Sequence, residues 1–290
     1  MKITRLAAIL CAVGCLGADW PPAWRTATEP FEIVDGIYYV GTRGLAAYLV
    51  TSDAGHVLID GTLPDAAAQI ERNVERLGFR LSDVKILLNS HAHFDHSGGL
   101  AELKRRSGAQ LFAHAADVAA LEGGFYLGSE EREDWRTPPV EVDRALQDGD
   151  VVALGGRELV LHHMPGHTPG CSSWGTTARH GDERYRVLFF CSATVAANRL
   201  VGPPQYPGIA DDYRRTFERA RSLRVDIPLA AHPEFFDLLE KRGAKRHPAD
   251  PVPFVDPHAF PALMARLEAQ FERALAEQQA AHAVPSGAGV

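Results

Sequence analysis

Cysteine is scarce in this chain: four residues in 290, two of them, Cys11 and Cys15, within the first fifteen positions. A dense disulfide framework is therefore excluded as the basis of the fold, which must rest on a packed core. Blocks of like charge are also missing. The 37 acidic and 30 basic residues are interspersed and leave a net charge of −7. That pattern argues against a nucleic-acid surface, because phosphate binding needs clustered Lys and Arg. A small uncharged or anionic molecule is the better-fitting partner. Nor does any apolar run reach the ~20 residues of a membrane span. With 46% hydrophobic and 23% charged residues the chain can bury a sizeable core as one catalytic domain.

The one notable apolar stretch, over 6–16, follows the charged start Met1-Lys2-Ile3-Thr4-Arg5 and precedes small residues and Asp19. It is read as a secretory signal peptide over 1–18, which predicts a periplasmic protein. Ala12-Val13-Gly14-Cys15 also fits a loose lipobox, so cleavage near Gly17 and a lipid-bearing Cys15 both stay open. The catalytic domain is placed at 19–283 and a disordered tail at 284–290. Export implies an oxidising compartment, in which Cys171 and Cys191 either pair or remain two buried thiols.

Short β-rich segments at 31–34, 37–41, 46–51 and 55–60 are punctuated by Gly and Asp. Helical spacing follows over 65–77, ending at Gly78. A strand at 84–88 leads into the polar string 89–99 and a helix at 100–106. A strand at 111–113 and a helix at 115–121 come next. Residues 123–139, with Phe125, Tyr126 and Trp135, form a long excursion suited to overhanging a site. The second half repeats the pattern, with strands at 159–163, 187–191 and 227–230 and helices at 209–223 and 261–281. Strands with helices between them, twice over, predict an α/β fold of two packed sheets with helices outside.

His91-Ala92-His93-Phe94-Asp95-His96 holds four potential metal ligands in six residues, in the turn between a strand and a helix. Imidazole and carboxylate together suit Zn²⁺ better than Ca²⁺ or Mg²⁺. Two further histidines, His167 in Pro-Gly-His-Thr-Pro-Gly and His232 in Ala-His-Pro, stand just past strand ends in turns shaped by Gly and Pro. Together these six residues suffice for two zinc ions. His162 and His163 end a strand, where neighbours point to opposite faces, so at most one looks inward. His56, His114, His180, His247, His258 and His282 lack partners at ligand spacing and are expected to be solvated.

In this order, the first string, the His167 loop and His232 resemble the metallo-β-lactamase superfamily from about residue 30 to 233. The resemblance implies a four-layer αβ/βα sandwich, two mixed β-sheets with helices on the outer faces. It also implies two Zn²⁺ per chain, one on His91, His93 and His167 and the other on Asp95, His96 and His232. Glyoxalase, lactonase and ribonuclease members of that superfamily typically place a bridging Asp just after the strand that here reads Val187-Leu188-Phe189-Phe190. This chain has Cys191-Ser192-Ala193-Thr194. With His96 also present, the pattern resembles subclass B3, in which a Ser fills that place.

That likeness implies hydrolysis of the β-lactam amide by a hydroxide shared between the metals, with Asp95 as the catalytic carboxylate. Ser192 and Thr194 become substrate contacts, and Asp60 a support beneath the metals rather than a ligand. A one-residue slip would instead make Cys191 a competing thiolate ligand. A monomer acting on a small β-lactam is expected; a lactonase or thioesterase-like hydrolase of the same fold is the alternative.

Overall fold

The computed structural model describes residues 20–283; the expected leader and tail, including Cys15, lie outside them. The first sheet runs β1 (Phe31–Val34), β2 (Ile37–Tyr39), β3 (Tyr48–Ser52), β4 (Gly55–Ile59), β5 (Val84–Leu88), β6 (Gln110–His114) and β7 (Arg144–Leu146), in spatial order as in sequence. Its first four strands are antiparallel, and β4 through β7 are parallel. The second sheet is built from β8 (Val151–Leu154), β9 (Arg157–His163), β10 (Ser172–His180), β11 (Glu183–Phe190) and β12 (Ile227–Ala230), antiparallel except for the β11–β12 pair. Both sheets are thus mixed.

Strand alternation sorts the apolar residues into layers. Val57 and Ile59 of β4 point inward to meet Val187 and Phe189 of β11 in the core between the sheets. Leu58 points outward beneath α1 (Ala67–Arg76), whose Ile70 and Val74 cover it. Three helices follow in the first half, α2 (Phe94–Ser97), α3 (Leu100–Ser107) and α4 (Val118–Gly123), and α5 (Ile209–Ala220) comes beyond β11. On the far side Leu188 and Phe190 face α5 and the final helix; Ile209, Tyr213 and Phe217 of α5 recur every four residues and so share one stripe. The chain closes with α6 (Leu238–Gly243) and α7 (Ala259–Ala283). No helix among the described residues is long and apolar enough to cross a membrane.

Most expected elements appear within two residues of their predicted ends. The exceptions are instructive. The helix expected over 115–121 starts as a 3-10 turn, Ala115–Asp117, before α4. Strand β10, the longest in the molecule, went unpredicted because Ser-Ser-Trp-Gly-Thr-Thr-Ala-Arg-His has no clean apolar alternation. It is extended because β9 and β11 pair with it on both sides. The two sheets are also joined by hydrogen bonds: Tyr48 donates to the carbonyl of Ala230 at 2.7 Å, and the Ala46 amide donates to that of Ala231 at 2.9 Å.

Candidate metal centre

Strand β5 ends at Leu88, and the chain turns sharply so that four side chains of 91–96 face one point. Asp60 sets this turn from below. Buried at the end of β4, it accepts hydrogen bonds from the Ser90 amide and hydroxyl, both at 2.7 Å, and from Asn89 Nδ2 at 3.2 Å. Gly99 makes the return of the chain possible, since a Cβ there would lie 2.3 Å from the Gly61 carbonyl oxygen. In the second loop Gly166 has φ +130°, a conformation that favours glycine, and a Cβ would press on the Tyr213 ring.

All six sequence candidates converge, in two neighbouring sets. His91, His93 and His167 form one, and Asp95, His96 and His232 the other; within each, ligand atoms lie within 4.8 Å of one another. The rings of His91 and His96 are 4.3 Å apart, so the sets adjoin. His93 Nδ1 stands 3.0 Å from His167 Nε2, and His96 Nε2 stands 3.2 Å from both His232 Nε2 and Asp95 Oδ2. Donors held ~2.0–2.1 Å from a tetrahedral zinc lie roughly 3.3 Å from each other, so these spacings fit the ion. His91 Nε2 is buried among them and has no hydrogen-bond partner among the described residues, as expected of an atom reserved for a metal.

Hydrogen bonds behind the rings set which nitrogen offers a lone pair. His167 Nδ1 donates to the Thr194 carbonyl at 2.7 Å and His232 Nδ1 to the Gly44 carbonyl at 3.2 Å, leaving each Nε2 as the donor toward the centre. Burial holds His91 and His93 well below the ordinary histidine range and His167 down to about 4, so all three are neutral imidazoles. Burial pushes Asp95 upward, but the neighbouring His96 and His232 outweigh it and hold the carboxyl well below the usual carboxylate range. Three neutral imidazoles beside a set holding one carboxylate form a nitrogen and oxygen donor group that suits zinc.

Ser192 and Thr194 lie beside the first set. Their hydroxyls are 3.2 Å apart, and Thr194 Oγ1 is 3.3 Å from His167 Nδ1. Cys171 and Cys191 are disulfide-bonded with Cα atoms 6.0 Å apart, so Cys191 offers no thiolate to a metal. His163 is occupied by the Pro169 carbonyl at 2.8 Å and by a stack on His114, while His162 packs under Gly175. Neither joins a ligand set. His56 and His114, expected to be solvated, are buried instead, His56 against Phe79 and His114 against His163.

Several contributors carry no ligand chemistry and went unread in the sequence. Asp117 hydrogen-bonds both histidine loops, and Asn198 donates to the His167 carbonyl at 2.9 Å and to Tyr213. An aromatic wall flanks the site: Trp20 and Trp24 stack on each other and against Phe94, Phe94 meets Trp135, and Trp135 meets Tyr126. Tyr126 stacks on His93 of the first donor set, whereas its neighbour Phe125 turns into the core around Leu121.

A family model for the metallo-beta-lactamase superfamily matches residues 40–232, a span that contains all six converging side chains and ends on the last of them. The chain belongs to the metallo-beta-lactamase superfamily. Among solved structures it is similar to BJP-1, a subclass B3 metallo-beta-lactamase of Bradyrhizobium japonicum, at 46% identity, covering 90% of this chain and 98% of that one with a TM-score of 0.87. The metallo-beta-lactamase GOB-18 from Elizabethkingia meningoseptica is 34% identical, with 90% and 97% covered and a TM-score of 0.84. FEZ-1 from Legionella gormanii is 33% identical, with 90% and 99% covered and the same TM-score. The superfamily's mixed double-sheet architecture is thus the fold of this chain.

Curated relatives carry other activities. Acyl-coenzyme A thioesterase MBLAC2 of Bos taurus is 31% identical over 63% of this chain and 61% of its own length. Hydroxyacylglutathione hydrolase of Rhodospirillum rubrum is 31% identical over 37% and 34%. The chain spans less than two thirds of the length of these relatives. Both groups support a metallo-beta-lactamase-fold hydrolase, and this chain's own histidine cluster is compatible with zinc.

Proposed function

We propose that this hydrolase opens the amide of β-lactam rings, using two zinc ions held by His91, His93 and His167 and by Asp95, His96 and His232. The observation that carries this reading is the second donor set: with His96 and His232 flanking Asp95 Oδ2 at 3.2 and 3.4 Å, the site has its ligands without an aspartate after β11, where Ser192 stands. The 46% identity to a subclass B3 enzyme over nearly the whole chain supports it.

Bound zinc supplies a water whose pKa falls from about 15.7 toward 7 and a Lewis acid for the lactam carbonyl. The residues of the chain do the rest. Asp95 turns Oδ2 to the two imidazoles, which leaves Oδ1 to accept a hydrogen bond from the attacking water and aim it at the carbonyl carbon. As the carbon–nitrogen bond breaks, the water's proton passes to the departing nitrogen, and the product is the ring-opened amino acid. The hydroxyls of Ser192 and Thr194 donate to the substrate carboxylate. The wall of Trp20, Trp24, Phe94 and Trp135 shields the apolar side chain of the substrate from water. Export by the leader would place the enzyme in the periplasm, where it would confer β-lactam resistance as a monomer.

The test follows ultraviolet absorbance of a carbapenem and a cephalosporin with protein of measured zinc content, with and without a chelator, beside an acyl-coenzyme A thioester and a lactone. Chelator-sensitive loss of the lactam chromophore at two zincs per chain is expected. Hydrolysis of the thioester alone would overturn the reading in favour of the activity named for the curated relatives.

A further inference from the structure

We propose that Asp117 is a positioning residue that sets the spacing of the three-histidine set, an assignment that rests on the metal reading above. Asp117 ends the 3-10 turn after β6 and is 2% exposed. It is not one of the converging donors, and its hydrogen bonds go to no imidazole. Its carboxylate is nonetheless fully engaged. Oδ2 accepts the Ala92 amide at 2.9 Å and the Thr168 hydroxyl at 2.8 Å, and Oδ1 accepts the Gly170 amide at 2.8 Å.

Those three donors belong to two loops. Ala92 sits between His91 and His93, on the loop that leaves the first sheet. Thr168 and Gly170 follow His167, on the loop that leaves β9 of the second sheet. One buried carboxylate therefore holds in register the two backbone segments from which all three nitrogens project. The approach is close enough that position 170 must lack a side chain: a Cβ there would lie 2.5 Å from Asp117 Cγ. Charge-assisted hydrogen bonds of this kind are short and directional, so they transmit position as well as energy. A metal site responds steeply to such placement, because the donors must reach ~2.0–2.1 Å from one point together.

Asp117→Asn keeps the shape but turns an amide NH₂ toward a donor, and Thr168→Val removes one of the three bonds while preserving volume. For the full-length protein and both variants, zinc affinity is measured by competition with a chromophoric chelator, and melting temperature is measured with zinc and after chelation. No substrate is needed. Asp117→Asn is expected to weaken the tighter zinc about 10- to 100-fold, the usual effect of removing support behind a metal site. It should also shrink the zinc-dependent rise in melting temperature; Thr168→Val should do the same to a smaller degree. Lowered melting temperatures with unchanged zinc affinity in both variants would mean a purely structural role and overturn the proposal. Zinc bound equally by wild type and variants would overturn Asp117 alone, whereas no zinc in the wild type would overturn the metal reading and Asp117's role with it. If Asp117→Asn does not fold, Thr168→Val decides.

Discussion

Tyr126 lies flat against His93, the ring centroids 4.1 Å apart and the planes 11° from parallel. The same tyrosine donates to Asn198 Oδ1 at 3.3 Å, and Asn198 in turn donates to the carbonyl of His167. The two histidines that face each other across the first donor set are therefore braced from one side by a single pair. Tyr126→Ala is expected to lower stability by about 3 kcal/mol, as buried aromatic truncations do, and to reduce kcat/KM about tenfold as His93 gains freedom. Tyr126→Phe keeps the stack and should stay near wild type. Denaturant unfolding and steady-state kinetics of both variants check this; equal losses in the two would show that the hydroxyl, not the stack, matters.

In the proposed reaction Asp95, which lies with His96 and His232, would also hold the attacking water. Asp95→Asn is expected to cut turnover by about 10²–10⁴-fold, the range for loss of a positioned proton acceptor, and to lower zinc content below two per chain. Turnover is measured against zinc content by elemental analysis. A zinc-replete variant with near-normal turnover would remove Asp95 from the chemistry.

His114 is buried against His163, and burial first, then the charge of that neighbour, hold its pKa down to about 4. In the unfolded chain its pKa is near 6.5, so between these values the unfolded state binds the proton more tightly. The associated stability is complete above pH 6.5 and is lost as pH falls toward 4, by at most about 3 kcal/mol. His114→Asn, which preserves an acceptor for the Ala116 amide, should therefore lose less stability than wild type between pH 7 and pH 4.5 in urea unfolding. Parallel losses would place the acid sensitivity elsewhere.

Six of the site's side chains were readable in the sequence because each carries its chemistry in its own atoms and stands in a short polar string after a strand. His91 to His96 and His167 could be found without knowing what they faced. Strands β5 and β12 were equally plain, since buried apolar runs bounded by polar turns have few other uses. Strand β10 was not, because its extension is imposed by neighbours rather than by its own residues. Asp117 and Asn198 were invisible for a related reason: an acid in a helical turn and an amide in a loop acquire meaning only through what tertiary packing brings to them. Phe125 and Tyr126 show the limit most sharply. Both belong to one aromatic excursion, yet adjacent positions part ways, one to the core and one to His93.

Each donor set draws two members from the segment leaving the first sheet, which ends in α2, and one from a turn beyond a strand of the second, His167 in one case and His232 in the other. An ion held by either set would be a rivet through the whole sandwich, and one in each would oppose both separation of the halves and their rotation about a single pin. Metal affinity and the stiffness of the molecule against shear would then be one property, so that a change letting the sheets slide would be felt first as a leaking cofactor.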